Sequence, residues 1–273
     1  MALSCPPMND LPEDEPHAGR APHAPPPPRR AGPSGAMRRL GALGTMFANT
    51  FLLAAVIFFA ATAQTPLPDN WNPTTPFDPA AAETPLTGWK LGRAAADVDL
   101  CREALSRGGA AATAIEDRVP QPACPLRDAV ALDRLDEIAL APADMPCALA
   151  LRLLTWVHHD LQPSAVEILG ARVERLIHYG VYNCRRIRSS SGAGTRMSAH
   201  ATGRAIDIAG LDLADGRRLT LLDDWDGDDD EALFLRRMQE GLCARFRQVL
   251  GPRYNTLHED HFHVALSGAP VCR

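Results

Sequence analysis

The C-terminal two-thirds of this chain reads as an α+β domain, a small antiparallel sheet with flanking helices. Three observations predict it. Apolar residues recur at helical intervals over 146–159 (Leu149, Leu153, Val157), whereas 205–211 and 262–266 read as short strands. Ala214-Asp215-Gly216 is a turn that joins 206–213 to 218–222 as a hairpin. With 273 residues, 46% hydrophobic and 22% charged, the chain can bury one good core.

From the N-terminus, residues 1–39 are polar and proline-rich, with Pro25–Pro28 consecutive, and bury too little apolar surface to offset their ordering entropy. The proline run occurs once, so it is not a structural repeat. Met37-Arg38-Arg39 before apolar sequence also makes a good export start. Residues 40–63 carry no charge and are densest in apolar side chains at 51–61. Arg38 and Arg39 keep that end cytoplasmic. The segment suits a single-pass membrane anchor, long enough for about 30 Å of hydrocarbon. The long N-terminal extension favours that anchor if Met1 is the start; the alternative is a signal peptide cleaved near Ala61-Thr62-Ala63. Either way the remainder is delivered to the periplasm. Residues 64–90 hold six more prolines and read as an extended tether. Sixteen of the 24 prolines precede residue 90, which places the start of the domain at 91.

Within 91–273, residues 98–107 read as helix, 146–159 as a core helix, and 165–179 as its continuation. Residues 181–187 read as a strand before the 205–211 strand and its hairpin. Acidic residues 228–231 open a helix to about residue 250, offsetting its dipole. A calcium loop is excluded there, because Gly227 does not follow three alternating acidic ligands. His158 and His159, beside Asp160 at a helix end, read as structural, as does His178.

The net charge of −5 excludes nucleic acid as main partner, since phosphate binding wants a basic face. Lys90 is the sole lysine, and the arginine excess reads as codon bias. Six of seven cysteines (Cys101, Cys124, Cys147, Cys184, Cys243, Cys272) follow the apolar segment, which fits disulfides in an oxidising compartment. No Cys-x-x-Cys pair points to zinc. Pairing between chain neighbours gives Cys101–Cys124, Cys147–Cys184 and Cys243–Cys272.

The chemistry concentrates in Ser198–Asp207 and His258–His263. Imidazole nitrogen and carboxylate oxygen are zinc donors, and a catalytic zinc keeps three protein ligands and one open position. His200, Asp207 and one histidine of His261-Phe262-His263 complete such a set, and Zn²⁺ is the cofactor expected. Gly203 and Ala205 leave room for backbone near the metal, and Ser198 can hydrogen-bond the loop that orients His200. His261 and His263, two apart on a strand, share a face, with Phe262 on the other.

Ser198-x-His200-x-x-Gly203-x-Ala205-x-Asp207, followed by a histidine-rich strand, resembles the zinc peptidases that share a fold with lysostaphin, D-Ala-D-Ala peptidases and sonic hedgehog. More closely, residues 98–273 resemble the bacterial extensin-like C-terminal family, through Tyr182-Asn183-Cys184-Arg185, 198–210, 214–216, Leu250-Gly251-Pro252 and 258–263. The resemblance implies a zinc-peptidase fold with His263 as third ligand and His261 moving the proton. Asp260 stands where the dipeptidases carry a glutamate; it and His258 are the alternative bases. Arg185 is implied to bind a substrate carboxylate or the oxyanion. The implied function is a monomeric periplasmic zinc peptidase that hydrolyses peptidoglycan stem peptides or cross-links. A non-catalytic wall-binding module with a structural metal is the alternative.

Overall fold

The computed structural model describes residues 35–64, 67–189 and 192–273, in two compact units, 1–65 and 66–273. The first contributes helix α1 (Gly35–Gln64), whose described side chains, 44–60, are exposed apart from half-buried Ala55. Among the described residues no helix is long and apolar enough to cross a membrane. The proline-rich residues 1–34 lie outside the described residues.

Residues 67–90 are not an extended tether but pack onto the domain. Phe77 is buried, and the sole lysine, Lys90, is 5% exposed. Its three ammonium protons meet three acceptors: Asp69 O (2.6 Å), Asn72 O (3.0 Å) and Thr75 Oγ1 (3.0 Å). A buried cation satisfied in this way fixes the turns around it. Lys90 sits in α2 (Thr87–Ala95), which leads to α3 (Val98–Arg107), N-capped by the Asp97 carboxylate as its sequence demands.

Strands β1 (Thr113–Ala114), β2 (Ala129–Leu135) and β3 (Ile138–Pro146) follow, then a buried helical run of α4 (Cys147–Trp156), a π-turn (Val157–Leu161), α5 (Gln162–Ser164) and a second π-turn (Ala165–Leu169). The helix expected over 165–179 stops at Gly170, whose φ of +68° suits glycine, and β4 (Val173–Gly180) replaces it. Residues 181–185 are not the strand expected but irregular chain before the separate hairpin of β5 (Arg186–Ser189) and β6 (Gly192–Met197). Strand β7 (Ala205–Leu213) turns into β8 (Arg218–Thr220) as the hairpin signal predicts. The short α6 (Leu221–Asp224) and α7 (Asp230–Arg245) come next. α7 ends earlier than expected because Phe246 is extended and starts the run into β9 (Gln248–Leu250). Strands β10 (Phe262–Ala265) and β11 (Val271–Cys272) close the chain.

The sheet is larger than the small antiparallel one expected. Nine strands run in the order β1-β2-β3-β4-β7-β10-β9-β11, with β8 also on β7. The β3–β4 and β9–β11 pairs are parallel. The α4 run makes the β3-to-β4 crossover, which a parallel pair requires. Its Leu149, Leu151, Leu153, Leu154 and Trp156 are fully buried. Ile206, Ile208, Leu211 and Phe262 belong to the same core. The result is a mixed α+β domain with a central β7.

Three disulfides form, but only Cys243–Cys272 pairs as expected. The others are Cys101–Cys147 and Cys124–Cys184. Proximity along the chain misleads here because the β2–β3 hairpin carries the start of α4 back to α3. Cys124 is thereby left to meet the loop that follows β4.

Candidate metal centre

Asp207 and His263 are opposite each other in the antiparallel β7–β10 register, so their side chains leave one face together. Ile206, Ile208 and Phe262 alternate onto the other face and are fully buried; Phe262 meets the edge of Trp225 with ring centres 5.5 Å apart. Gly251 makes room for that ring, since a Cβ there would sit 2.6 Å from it. Core packing thus sets the pleat that aims both ligands outward.

His200 arrives from a 3-10 turn (Ala199–Thr202) just before β7. Ser198 caps the turn, accepting from the His200 N–H at 3.4 Å. Gly203 ends it with φ +63°, and a Cβ there would lie 2.7 Å from Leu126 Cδ1, so both backbone and space call for glycine. The Tyr182–Arg185 segment serves as the cradle. Asn183 N–H donates to His200 O, and Ser198 N–H donates to Arg185 O, each at 3.0 Å. Cys184 is tied to Cys124, whose carbonyl accepts from the Tyr182 hydroxyl at 2.7 Å.

These elements bring together His200, Asp207 and His263, one ligand atom from each within 4.8 Å of the others. His200 Nε2 lies 3.1 Å from both Asp207 Oδ1 and His263 Nδ1, and the last two are 2.8 Å apart. Tetrahedral zinc with bonds of about 2.0–2.2 Å separates its ligands by roughly 3.3 Å, close to this triangle.

The donor chemistry supplies the fit test. His200 Nδ1 is 2.7 Å from the carbonyl of Val181, which can only accept. Nδ1 therefore carries a proton, which leaves Nε2, 3.1 Å from Asp207 Oδ1, as the ring nitrogen that can ligate. With Nδ1 of His200 committed to Val181, His200 Nε2, His263 Nδ1 and Asp207 Oδ1 form a donor set of the kind that zinc takes. Burial alone would raise the Asp207 pKa. The hydrogen bonds and charge of His200 and His263 outweigh it and hold the carboxyl well below the usual range. It is a carboxylate, ready to ligate.

His261 joins this face without entering the triangle. Its Nε2 is 3.7 Å from Asp207 Oδ1, and its Nδ1 is 2.7 Å from Asp260 Oδ1. Asp260 is thus placed to orient His261 rather than to reach the triangle itself, a relation invisible in a straight-strand reading. Burial acts to raise the Asp260 pKa, but the His261 hydrogen bond and charge bring it below the ordinary value. The Tyr179 ring packs against His261 at 5.8 Å, and burial, followed by Asp260, pushes its hydroxyl pKa up. His258, its ring tilted at 39° and centred 5.2 Å from that of His261, bonds Asn255 Oδ1 through Nδ1; burial, then the neighbouring His261 and His263, lowers its pKa to about 4.

Arg185 is half-buried, and among the described residues its guanidinium has no hydrogen-bond or ion-pair partner; only its backbone touches the His200 loop. His158, His159 and His178 each bond a backbone carbonyl (Gly108, Pro79 and Ala141), as structural histidines do. Sequence reasoning missed Val181 and Tyr179. A carbonyl acceptor leaves no signature in residue type, and Tyr179 reaches the site only because β4 borders β7. Side-chain exposure of 13–15% at Asp207, His261 and His263, against 3% at His200, leaves one side of the group open to solvent.

No curated protein and no solved structure matches this chain. A family model, Extensin-like protein C-terminus, matches residues 99–273, which run from the first turn of α3 through β11 and include all of the metal group. The chain belongs to the extensin-like protein C-terminus family.

Proposed function

We propose that this domain is an exported zinc-dependent peptidase acting on the peptide part of peptidoglycan. The observation that carries the reading is the triangle of two imidazole nitrogens and one carboxylate oxygen, 2.8–3.1 Å on each side. Bound zinc supplies a water with a pKa near 7 and a charge that polarises the scissile carbonyl. The chain's own residues do the rest. Val181 holds His200 in the ligating tautomer. Asp260 holds His261 Nδ1–H, leaving Nε2, 3.7 Å from Asp207 Oδ1, to take and return a proton. Arg185, with no acidic partner among the described residues, is available to a substrate carboxylate or a developing oxyanion. The likeness of the two motifs to zinc D-Ala-D-Ala peptidases supports both the fold assignment and the substrate class. Three side-chain ligands and an open side favour catalysis over a purely structural metal.

Localisation belongs to the same proposal. Three disulfides fit an oxidising compartment. Exposed Phe47, Phe51, Leu52, Ile57, Phe58 and Phe59 on α1 want an apolar environment. We place the domain in the periplasm, held by a single inner-membrane pass or released by signal cleavage, as a monomer. Two experiments test the reading. Zinc-loaded protein incubated with purified peptidoglycan should release peptide fragments identifiable by mass; a metal-loaded protein that releases none leaves the non-catalytic wall-binding role. A reporter fused after residue 95 should be active only in the periplasm.

A further inference from the structure

Away from the metal group, a cavity of about 780 Å³ opens between α2, α4, the end of α7 and β11. Its volume is that of small-molecule sites, which run from about 300 to 1,000 Å³. Arg152, Arg204, Arg245 and Arg247 line it, and no aspartate or glutamate does. These four charges are not equivalent. Arg245 is neutralised by Glu83 and Asp160. Arg152 is half-buried and donates Nη1–H to the Arg245 carbonyl at 3.0 Å. Arg247 donates Nε–H to the Gly268 carbonyl at 2.8 Å. Among the described residues neither of these, nor Arg204, has an ion-pair partner.

Acidic residues outnumber basic ones in this chain by 33 to 28, yet three unpaired arginines converge on one cavity. A cation withdrawn from water without an anion is costly, and the burial of Arg152 accordingly lowers its pKa. Carbonyl bonds hold the Arg152 and Arg247 guanidiniums, and the Cys243–Cys272 disulfide forms part of the wall, so two of the three charges are positioned before any ligand arrives. A second cavity of about 320 Å³ shares Ala95, Ala96, Ala148 and Arg204 with the first, which puts Arg204 at their junction. Guanidinium groups meet carboxylate and phosphate alike through paired N–H bonds.

We propose that this cavity binds a ligand carrying two or more oxyanion groups, carboxylate or phosphate, held by Arg152, Arg204 and Arg247. No residue of the metal group lines it. It is a second site, and its existence does not depend on the peptidase reading.

Calorimetric titration of the full chain at constant ionic strength tests this, with tricarballylate and inorganic pyrophosphate as probes. One probe should bind one to one, and Arg204→Gln and Arg247→Gln should each weaken it about tenfold or more, about 1.4 kcal/mol. Tighter tricarballylate assigns carboxylate chemistry, and tighter pyrophosphate assigns phosphate. Arg152→Gln should behave alike; should it fail to fold, the two exposed arginines carry the test. His200→Ala breaks the metal group and should leave binding unchanged, which separates this proposal from the fate of the peptidase reading. Absence of binding for both probes at millimolar concentration overturns the cavity proposal. So does binding that survives Arg204→Gln and Arg247→Gln, or that disappears with His200→Ala.

Discussion

The carbonyl of Val181 accepts the Nδ1 proton of His200 across 2.7 Å, and this bond decides which nitrogen of His200 faces Asp207. The ligating tautomer therefore exists before any metal arrives. The purified chain should bind one zinc, and His200→Ala, Asp207→Ala and His263→Ala should each abolish it, as read by elemental analysis after dialysis. Zinc at 100 times its Kd should stabilise the wild type by about 2.7 kcal/mol and none of the variants. A full equivalent of zinc on any of the three would remove that residue from the ligand set.

His261 and Asp260 separate by role. His261→Ala should keep zinc stoichiometric while peptidoglycan turnover falls about 10²–10⁴-fold, the span of general acid–base catalysis. Asp260→Asn should cost less, because the imidazole remains and loses only the group that orients it. Loss of zinc in His261→Ala would make His261 a ligand instead.

Gly203 connects backbone conformation to the site. With φ at +63° and a would-be Cβ 2.7 Å from Leu126 Cδ1 and 3.0 Å from Pro146 Cδ, Gly203→Ala should destabilise the domain by about 1–3 kcal/mol. Urea denaturation measures this. Zinc affinity should fall with it, since the strained turn carries His200.

The 67–90 segment is fastened partly by Glu83, whose two oxygens sit 3.0 and 3.3 Å from Arg245. The Arg245 hydrogen bond, against an opposing effect of burial, lowers the Glu83 pKa. A lowered carboxylate pKa adds stability that is fully present above the ordinary value of about 4.3 and is lost as pH falls through the folded value. Glu83→Gln should therefore lower the urea midpoint at pH 7, with the difference closing toward pH 3. Arg245→Met should cost more, about 1.5–3 kcal/mol, because it also strips Asp160 of its partner.

The hairpin at 214–216, the α3 boundaries and the shared face of His261 and His263 were legible in sequence, because each depends on local turn chemistry or strand alternation. The three candidate ligands were legible as a motif, and the fold brings them to one point. What escaped depends on the whole fold. β4 reads like the end of a helix because its apolar spacing follows on from 165–169, and only Gly170 marks the change. Lys90 looked like the accident of a lysine-poor chain until three acceptors closed around it. The pairing of Cys124 with Cys184 needed to know that the 181–185 segment folds behind His200, and no spacing of cysteines encodes that.

The Cys101–Cys147 and Cys124–Cys184 bridges interleave, so a single peptide-bond cut anywhere between 101 and 184 leaves the two pieces covalently joined. The Cys243–Cys272 bridge protects its own interval in the same way. Among the described residues no bridge spans the interval between 184 and 243, and that interval carries His200 and Asp207. Under non-reducing conditions a nick there would divide the domain, and one on the C-terminal side of His200 would also split the three ligands between the fragments. Resistance to proteases in this interval has to come from the burial of β7 and α7, so electrophoresis without reductant after limited digestion reports directly on how firmly the strand of Asp207 is held.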